Sequence, residues 1–313
     1  MPLALADFRR RLLRWYDRHA RALPWRGTRD PYRVWLSEVM LQQTRVAAVL
    51  GHYRDFLRRF PTLRALAAAN ERDVLAAWSG LGYYRRARLL HRAAQVVARE
   101  HGANMPRSAK GLRGLPGVGR YTAAAIASIA FGEPVAVVDG NVERVLARLA
   151  GRALPPAETW LRAQELLAPR RAGDFNQAMM ELGATVCLPD KPLCGRCPVA
   201  AACATRGELP RAASRPRRKQ EVAYALARRN GSVRLVQRNA NASLMPGMWE
   251  LPACTANGAP ALMRLRHAIT VTDYTVVVFE EPSRAGRWVE ISRLSELPLT
   301  GLTRKILKRA GML

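Results

Sequence analysis

The chain has 313 residues and a mass of 34.8 kDa, room for about two domains. Hydrophobic residues make up 49% and charged residues 24%, which suits packed cores and argues against a mainly disordered chain. Charge is the outlier: 51 Lys+Arg stand against 24 Asp+Glu, formally +27, with an isoelectric point near 11.4. The excess is spread over both halves, so it is not a basic tail. A folded protein this cationic repels itself unless it meets a polyanion, and nucleic acid is the first candidate. The competing explanation is a genome rich in arginine codons, since only five of the 51 are lysine.

No apolar run approaches 18 residues, so no membrane span is expected. The first charges follow a short apolar start, the reverse of a secretory signal, and a cytoplasmic protein is expected. Residues 1–205 read as helix after helix. Leu12, Leu13, Trp15 and Tyr16 begin an amphipathic stretch, and Pro24 and Pro31 flank a loop. Residues 34–60 carry apolar side chains at helical spacing up to Pro61, and 62–78 and 85–100 repeat the pattern on either side of the turn SGLGYY (79–84). Asp139-Gly140 reads as a loop-to-helix junction because NVERVLARLAG follows with helical spacing. Residues 206–220 are polar, basic and proline-bearing, and predict a linker. Beyond it EVAYALARRNGSVRLVQR has two alternating runs around Asn230-Gly231, a hairpin signal. Residues 267–281 form one long β-branched run, 286–291 another strand, and 300–311 a closing helix. The expected architecture is a mainly α body, 1–205, then a small α+β domain, 221–313.

Four features carry chemistry. In LPGVG (115–119), between two helices, Gly117 and Gly119 can take positive φ and present backbone N–H groups near a helix N-terminus. This is the form of a helix-hairpin-helix, which grips a nucleic-acid backbone without reading bases; a plain glycine turn is the bland alternative. Asp139 ends a Gly/Pro-containing apolar loop just before a helix. An N-cap aspartate fits that place, and a capping carboxylate can also face a developing cation. Glu38 lies among Val34, Trp35, Leu36, Val39, Met40 and Leu41. Buried there it would have a raised pKa and could hold a proton; on pattern alone it forms a solvent-facing polar stripe with Gln42. Together the two acids form a candidate pair for a reaction through a sugar cation. Finally, Cys187, Cys194, Cys197 and Cys203 are spaced Cys-x6-Cys-x2-Cys-x5-Cys. Four thiolates suit zinc or an iron–sulfur cluster, and the uneven spacing in one short loop (187–203) favours a cubane cluster. Cys254, far from the other four in the sequence, reads as an ordinary core thiol.

The helix-hairpin-helix, the Gly/Pro loop with its aspartate and the cysteine loop, in that order, resemble the superfamily of endonuclease III-like DNA glycosylases. PWR (24–26), WLSEVMLQQTRV (35–46), GLGYY (80–84), LPGVGRYTAAAIASIAFG (115–132) and VDGNVERV (138–145) resemble its A/G-specific adenine glycosylases, the MutY family. SLMPGMWELP (243–252) extends the likeness into the second domain. The resemblance implies a monomeric enzyme that flips adenine from double-stranded DNA where it is mispaired with 8-oxoguanine or guanine. Glu38 would be the general acid and Asp139 the carboxylate that steadies the oxocarbenium ion or bonds to the sugar, supported by Tyr121 and Asn141. Arg26 and Glu181 would contact adenine. Gln43, Thr44, Leu81 and Tyr83 would meet the duplex near the lesion, and Leu115, Gly117, Val118 and Gly119 would hold its backbone. The cysteine loop would carry a [4Fe-4S] cluster and, with Arg196, shape a basic DNA-binding loop. Bifunctional relatives carry lysine where this chain has Tyr121, which cannot form a Schiff base, so the enzyme would be monofunctional.

The second domain resembles the family's Nudix-like, lesion-sensing domain, but it has no acidic Nudix box, so pyrophosphohydrolase activity is not expected. Where relatives often carry a Phe-Ser-His loop this chain has Ile269, Thr270 and Val271 after Arg266-His267, and the segment from Pro252 to Arg264 is short. His267 and Thr270 are candidate lesion contacts or ordinary strand residues, and a strong 8-oxoguanine preference is not implied. Two other readings are a glycosylase for thymine opposite guanine, which the second domain opposes, and a non-catalytic iron–sulfur DNA binder, which would need neither Glu38 nor Asp139.

Overall fold

The structure, a computed structural model, describes residues 4–209, 217–239, 241–242, 244–255, 260–269, 271–280, 283 and 285–313. These divide into two compact units, residues 1–67 with 92–212 and residues 68–91 with 213–313, each described by itself. Among the described residues no helix is long and apolar enough to cross a membrane.

The first unit is helical: α1 (Leu5–His19), α2 (Pro31–Leu41), α3 (Val46–Arg59) and α4 (Leu63–Ala68), which crosses into the division at its last residue, precede the break at 68. Two further helices, α5 (Glu71–Ala77) and α6 (Arg85–Glu100), come before α7 (Ala109–Leu112), α8 (Arg120–Phe131), α9 (Gly140–Ala150), α10 (Pro156–Leu166) and α11 (Ala172–Thr185). Helix α2 starts where Asp30 accepts hydrogen bonds from the Tyr32 and Arg33 amides, with Pro31 at its first position. Helix α8 is the central strut. Its Ala123–Ala127 run is buried, and α2, α7 and α11 pack on it. Small side chains set the spacing: a Cβ on Gly173 of α11 would lie 2.7 Å from the Ser128 carbonyl oxygen of α8. Phe8, Leu12 and Tyr16 of α1 join Val142, Val145 and Leu146 of α9 and Phe175, Met179 and Leu182 of α11 in one apolar core. Burying each such large side chain contributes about 1.5–3 kcal/mol.

The stretch 34–60 is two helices, not one. The chain turns at Gln42–Arg45, with Gln43 at φ +54°. A left-handed non-glycine residue costs about 1–3 kcal/mol, and such costs gather at functional sites. The stretch 62–78 likewise splits, into α4 and α5. The Asp139-Gly140 junction is as read: Asp139 caps α9.

The second unit holds α5, the first part of α6, and two sheets. In the first sheet β1 (Arg218–Ala225) runs parallel to β6 (Thr272–Phe279), which pairs antiparallel with β5 (Met263–Ile269). In the second, β3 (Ser232–Gln237) pairs with β2 (Arg228–Arg229), β4 (Trp249–Glu250) and β7 (Arg287–Glu290), all antiparallel. Helix α12 (Gly301–Arg309), capped by Thr300, closes the unit. Leu226, Val233, Leu235, Val276, Val278 and Ile306 form its core. The Tyr84 hydroxyl and Ser79 Oγ both donate to the Leu299 carbonyl, which ties the 68–91 segment to this unit.

Three expectations change here. Residues 218–220, read as linker, open β1. The hairpin at Asn230-Gly231 forms, with φ +47° and +69°, but its first arm is only β2, because β1 pairs with β6 instead. The run 267–281 is two strands, with Ile269 facing Thr272 across a reversal. A 15-residue strand would reach about 50 Å, so folding back lets the run pair with itself.

Candidate active site

Glu38 does not face water. It is 6% exposed, and the Tyr121 hydroxyl of α8 donates to its Oε2 at 2.5 Å. The spacing was informative in another way: Glu38 and Gln42, four residues apart, do share a helix face. That face is turned to α8, where Gln42 Nε2 donates to Thr122 Oγ1 at 3.2 Å. Burial pushes the Glu38 carboxyl up to about 7; the Tyr121 hydrogen bond pulls against this and the charge of Asp139 adds to it. A carboxyl with that value is half protonated near neutrality and can give up a proton. Burial also raises the Tyr121 phenol well above its ordinary value, helped by Glu38 and Asp139.

Asp139 is set by its own helix. Its Oδ1 accepts from the Val142 amide at 2.8 Å and its Oδ2 from Asn141 Nδ2 at 2.9 Å. Arg144 then holds Asn141, donating from Nη2 to Asn141 Oδ1 (2.8 Å) and the Gly183 carbonyl (2.7 Å), and from Nε to the Cys187 carbonyl (2.8 Å). The loop before Asp139 is clamped by two carboxamides. Asn176 accepts from the Val137 amide and donates to the Val135 carbonyl and Ser128 Oγ; Gln164 accepts from the Ala136 amide and donates to the Pro134 carbonyl. The structure thus brings Glu38, Tyr121, Asp139 and Asn141 together. Sequence reasoning missed Arg144, Asn176 and Gln164; the one available signal was a polar residue inside the apolar face of FNQAMMEL.

Glu181 is buried on α11. Arg21 reaches it through Nε (2.8 Å) and Nη2 (2.7 Å), and Arg26 through Nη2 (2.6 Å). Burial alone would raise its pKa, but the hydrogen bonds from Arg21 and Arg26 outweigh it and hold the carboxyl at about 2. Arg21 was not anticipated. Met180, the residue before Glu181, brings its Sδ within 3.4 Å of the Tyr121 hydroxyl, so α11 serves both groups.

The hairpin of α7 and α8 corrects one expectation: Gly117 has φ +75°, but Gly119 is the extended N-cap of α8 at φ −82°. A cap residue takes that conformation before the helix begins, so positive φ is needed only once. Leu115 and Val118 are buried anchors, and their N–H groups are spent within the turn on the Leu112 and Leu115 carbonyls. Thr44 follows Gln43 in the α2–α3 turn and donates to the Gln42 carbonyl. In the other unit Leu81 is buried, whereas Tyr83 is exposed at φ +49° with the Arg86 guanidinium 5.4 Å from its ring. His267 is half-buried on β5 opposite Tyr274, its pKa lowered by burial and by Lys305. Thr270 lies outside the described residues.

Cys187, Cys194, Cys197 and Cys203 line one cavity of about 30 Å³. Buried Arg148 donates to Cys187 Sγ (3.3 Å) and to the Leu188 and Pro189 carbonyls, and its own carbonyl accepts from Cys203 Sγ. Burial, and then the other three cysteines against one backbone hydrogen bond, push the Cys197 thiol up to about 11. No group of three or more His, Cys, Asp or Glu among the described residues is arranged to hold a metal ion. Four sulfurs lining one small cavity are a donor set that either zinc or an iron–sulfur cluster would use.

A glycine hairpin beside a buried glutamic acid and a helix-capping aspartate defines a class, base excision repair proteins built on a helix-hairpin-helix. Residues 36–169 match the HhH-GPD superfamily base excision DNA repair proteins, and the chain belongs to that superfamily. Its relatives include the adenine DNA glycosylase of Homo sapiens, 42% identical over 82% of this chain and 59% of the human protein. The adenine DNA glycosylase of Mycobacterium tuberculosis is 48% identical over 60% of this chain and 64% of its own length. The chain therefore spans about 60% of the length of these relatives. Among solved structures, a thermostable thymine-DNA glycosylase is 31% identical with a TM-score of 0.61, covering 64% of this chain and 96% of the other.

Proposed function

We propose that this protein is a monofunctional, monomeric DNA glycosylase of the cytoplasm that releases adenine from double-stranded DNA where adenine stands opposite 8-oxoguanine or guanine. The observation that carries the reading is the buried Glu38–Tyr121 hydrogen bond within the field of the Asn141-held Asp139 carboxylate. Glu38 gives its proton to the adenine ring, so the base departs neutral as the glycosidic bond breaks. Asp139 steadies the oxocarbenium sugar that remains, and water completes the hydrolysis. Arg26 and Glu181, with Arg21, contact the extruded base. Gln43, Thr44, Leu81 and Tyr83 act at the distorted duplex, and the turn 115–119 holds its phosphates through the Gly117 and Gly119 N–H groups, with Leu115 and Val118 anchoring the turn. The names of the relatives support adenine as the base.

Cys187, Cys194, Cys197 and Cys203 would hold a [4Fe-4S] cluster, which supplies a rigid centre for the basic loop around it. In this reading residues 1–205 are the glycosylase domain, the linker is cut back to 206–217 because 218–220 belong to β1, and the remainder to 313 is a Nudix-like domain in which His267 and Thr270 meet the lesion.

The test uses three duplexes, with adenine opposite 8-oxoguanine, adenine opposite guanine, and thymine opposite guanine. Free adenine is expected from the first two, with the abasic strand intact until treated with alkali, because Tyr121 offers no amine. Thymine release without adenine release would overturn the assignment. The purified protein is expected to be brown and to contain iron and sulfide; a colourless zinc protein would overturn the cluster.

A further inference from the structure

One hydroxyl hydrogen in the site faces two acceptors. Tyr121 Oη lies 2.5 Å from Glu38 Oε2 and 3.4 Å from Met180 Sδ, and a phenol can donate to only one of them at a time. When Glu38 is ionised the choice is clear, since a carboxylate is the stronger acceptor. When Glu38 carries its proton on Oε2, two O–H groups would point at each other unless Tyr121 turns away. We propose that Met180 is a positioning residue for the proton on Glu38: its thioether gives the Tyr121 hydrogen a second resting place, so that Tyr121 accepts from protonated Glu38 while donating to sulfur. The two states differ by one rotation about the phenol C–O bond and need no backbone movement. This inference rests on the reading of Glu38 as general acid.

The surroundings leave this role to Met180. Tyr121 of α8 and Asp139 before α9 are the titratable groups acting on Glu38. On α3, packed against α2, Tyr53 gives its hydroxyl to the Arg33 carbonyl. On α11, Glu181 is committed to Arg21 and Arg26. An aliphatic side chain at 180 would keep the volume and remove the acceptor. Tyr121 would then donate to Glu38 continuously, favour the carboxylate and lower the proton affinity of the acid.

The experiment follows the Glu38 carboxyl by 13C NMR in protein labelled at glutamate side-chain carboxyls, with Glu38→Gln to assign the signal. Met180→Leu is expected to move the Glu38 titration down by about half a pH unit, the low end for one hydrogen bond. Adenine release should lose its upper pH limb by the same amount. Met180→Ile, which also lacks sulfur, should behave alike. In a Tyr121→Phe background, where no phenol hydrogen exists, Met180→Leu should leave the titration unmoved. A titration indifferent to Met180→Leu, or one that shifts equally with and without the Tyr121 hydroxyl, would overturn the proposal. If the titration shifts as expected while Glu38→Gln still releases adenine at full rate, the relay stands and the general-acid reading fails.

Discussion

Asp139→Asn lowers single-turnover adenine release by on the order of 10²-fold or more while duplex binding persists, the loss typical of a positioned charged group. The substitution is nearly isosteric. Its remaining carbonyl oxygen can still accept from the Val142 amide, so α9 keeps its cap. What disappears is the negative charge that the proposed mechanism sets against the sugar cation, together with the acceptor for Asn141 Nδ2. Rapid-quench kinetics with filter binding on the same duplex checks the expectation, and an unchanged rate would refute the assigned role. The pH profile supplies an internal comparison. In the proposed general-acid role Glu38, at about 7, acts in its protonated form, so the rate is expected to fall as pH rises through that value. In Glu38→Gln that limb vanishes along with about 10²–10⁴-fold of the rate.

Gly183→Ala is expected to be as damaging without touching a charge. A Cβ there would meet Asn141 Cβ at 2.6 Å and the Asn141 carbonyl oxygen at 2.9 Å, with nothing flexible to give way. Helix α11 must therefore move off α9, at a cost of about 1–3 kcal/mol for overpacking. The displaced residue is Asn141, whose amide holds Asp139 Oδ2. Misplacement by about 1 Å costs on the order of 10²-fold in rate. Thermal melting and the single-turnover rate should fall together. Gly51→Ala, in α3 with open space around it, is the control and should stabilise slightly. Full activity in Gly183→Ala would mean that the α9–α11 approach does not set the site.

The helical body and the small sheet-bearing unit are legible in the sequence because they rest on local periodicity. The hairpin at Asn230-Gly231 and the cap at Asp139 are legible because turn and cap chemistry are local too. The break at Gln42–Arg45 is not, since no Gly or Pro marks it and tertiary packing holds Gln43 at positive φ. Glu38 shows the same limit: spacing puts it on one face with Gln42, but only the packing of α8 says that the face is inside. The parallel pairing of β1 with β6, about 50 residues apart, has no local signal. Neither does the choice of Arg21 as a second partner for Glu181, 160 residues away.

The clamp formed by Asn176 and Gln164 fixes three consecutive peptide units ahead of Asp139. The backbone that leads into Asp139 is thus held by side chains of the protein itself. On the proposed function the nucleotide, more than this loop, is then the part that has to move. Selectivity can in that case begin with how easily a given pair lets go of its neighbours, ahead of any inspection of the base itself.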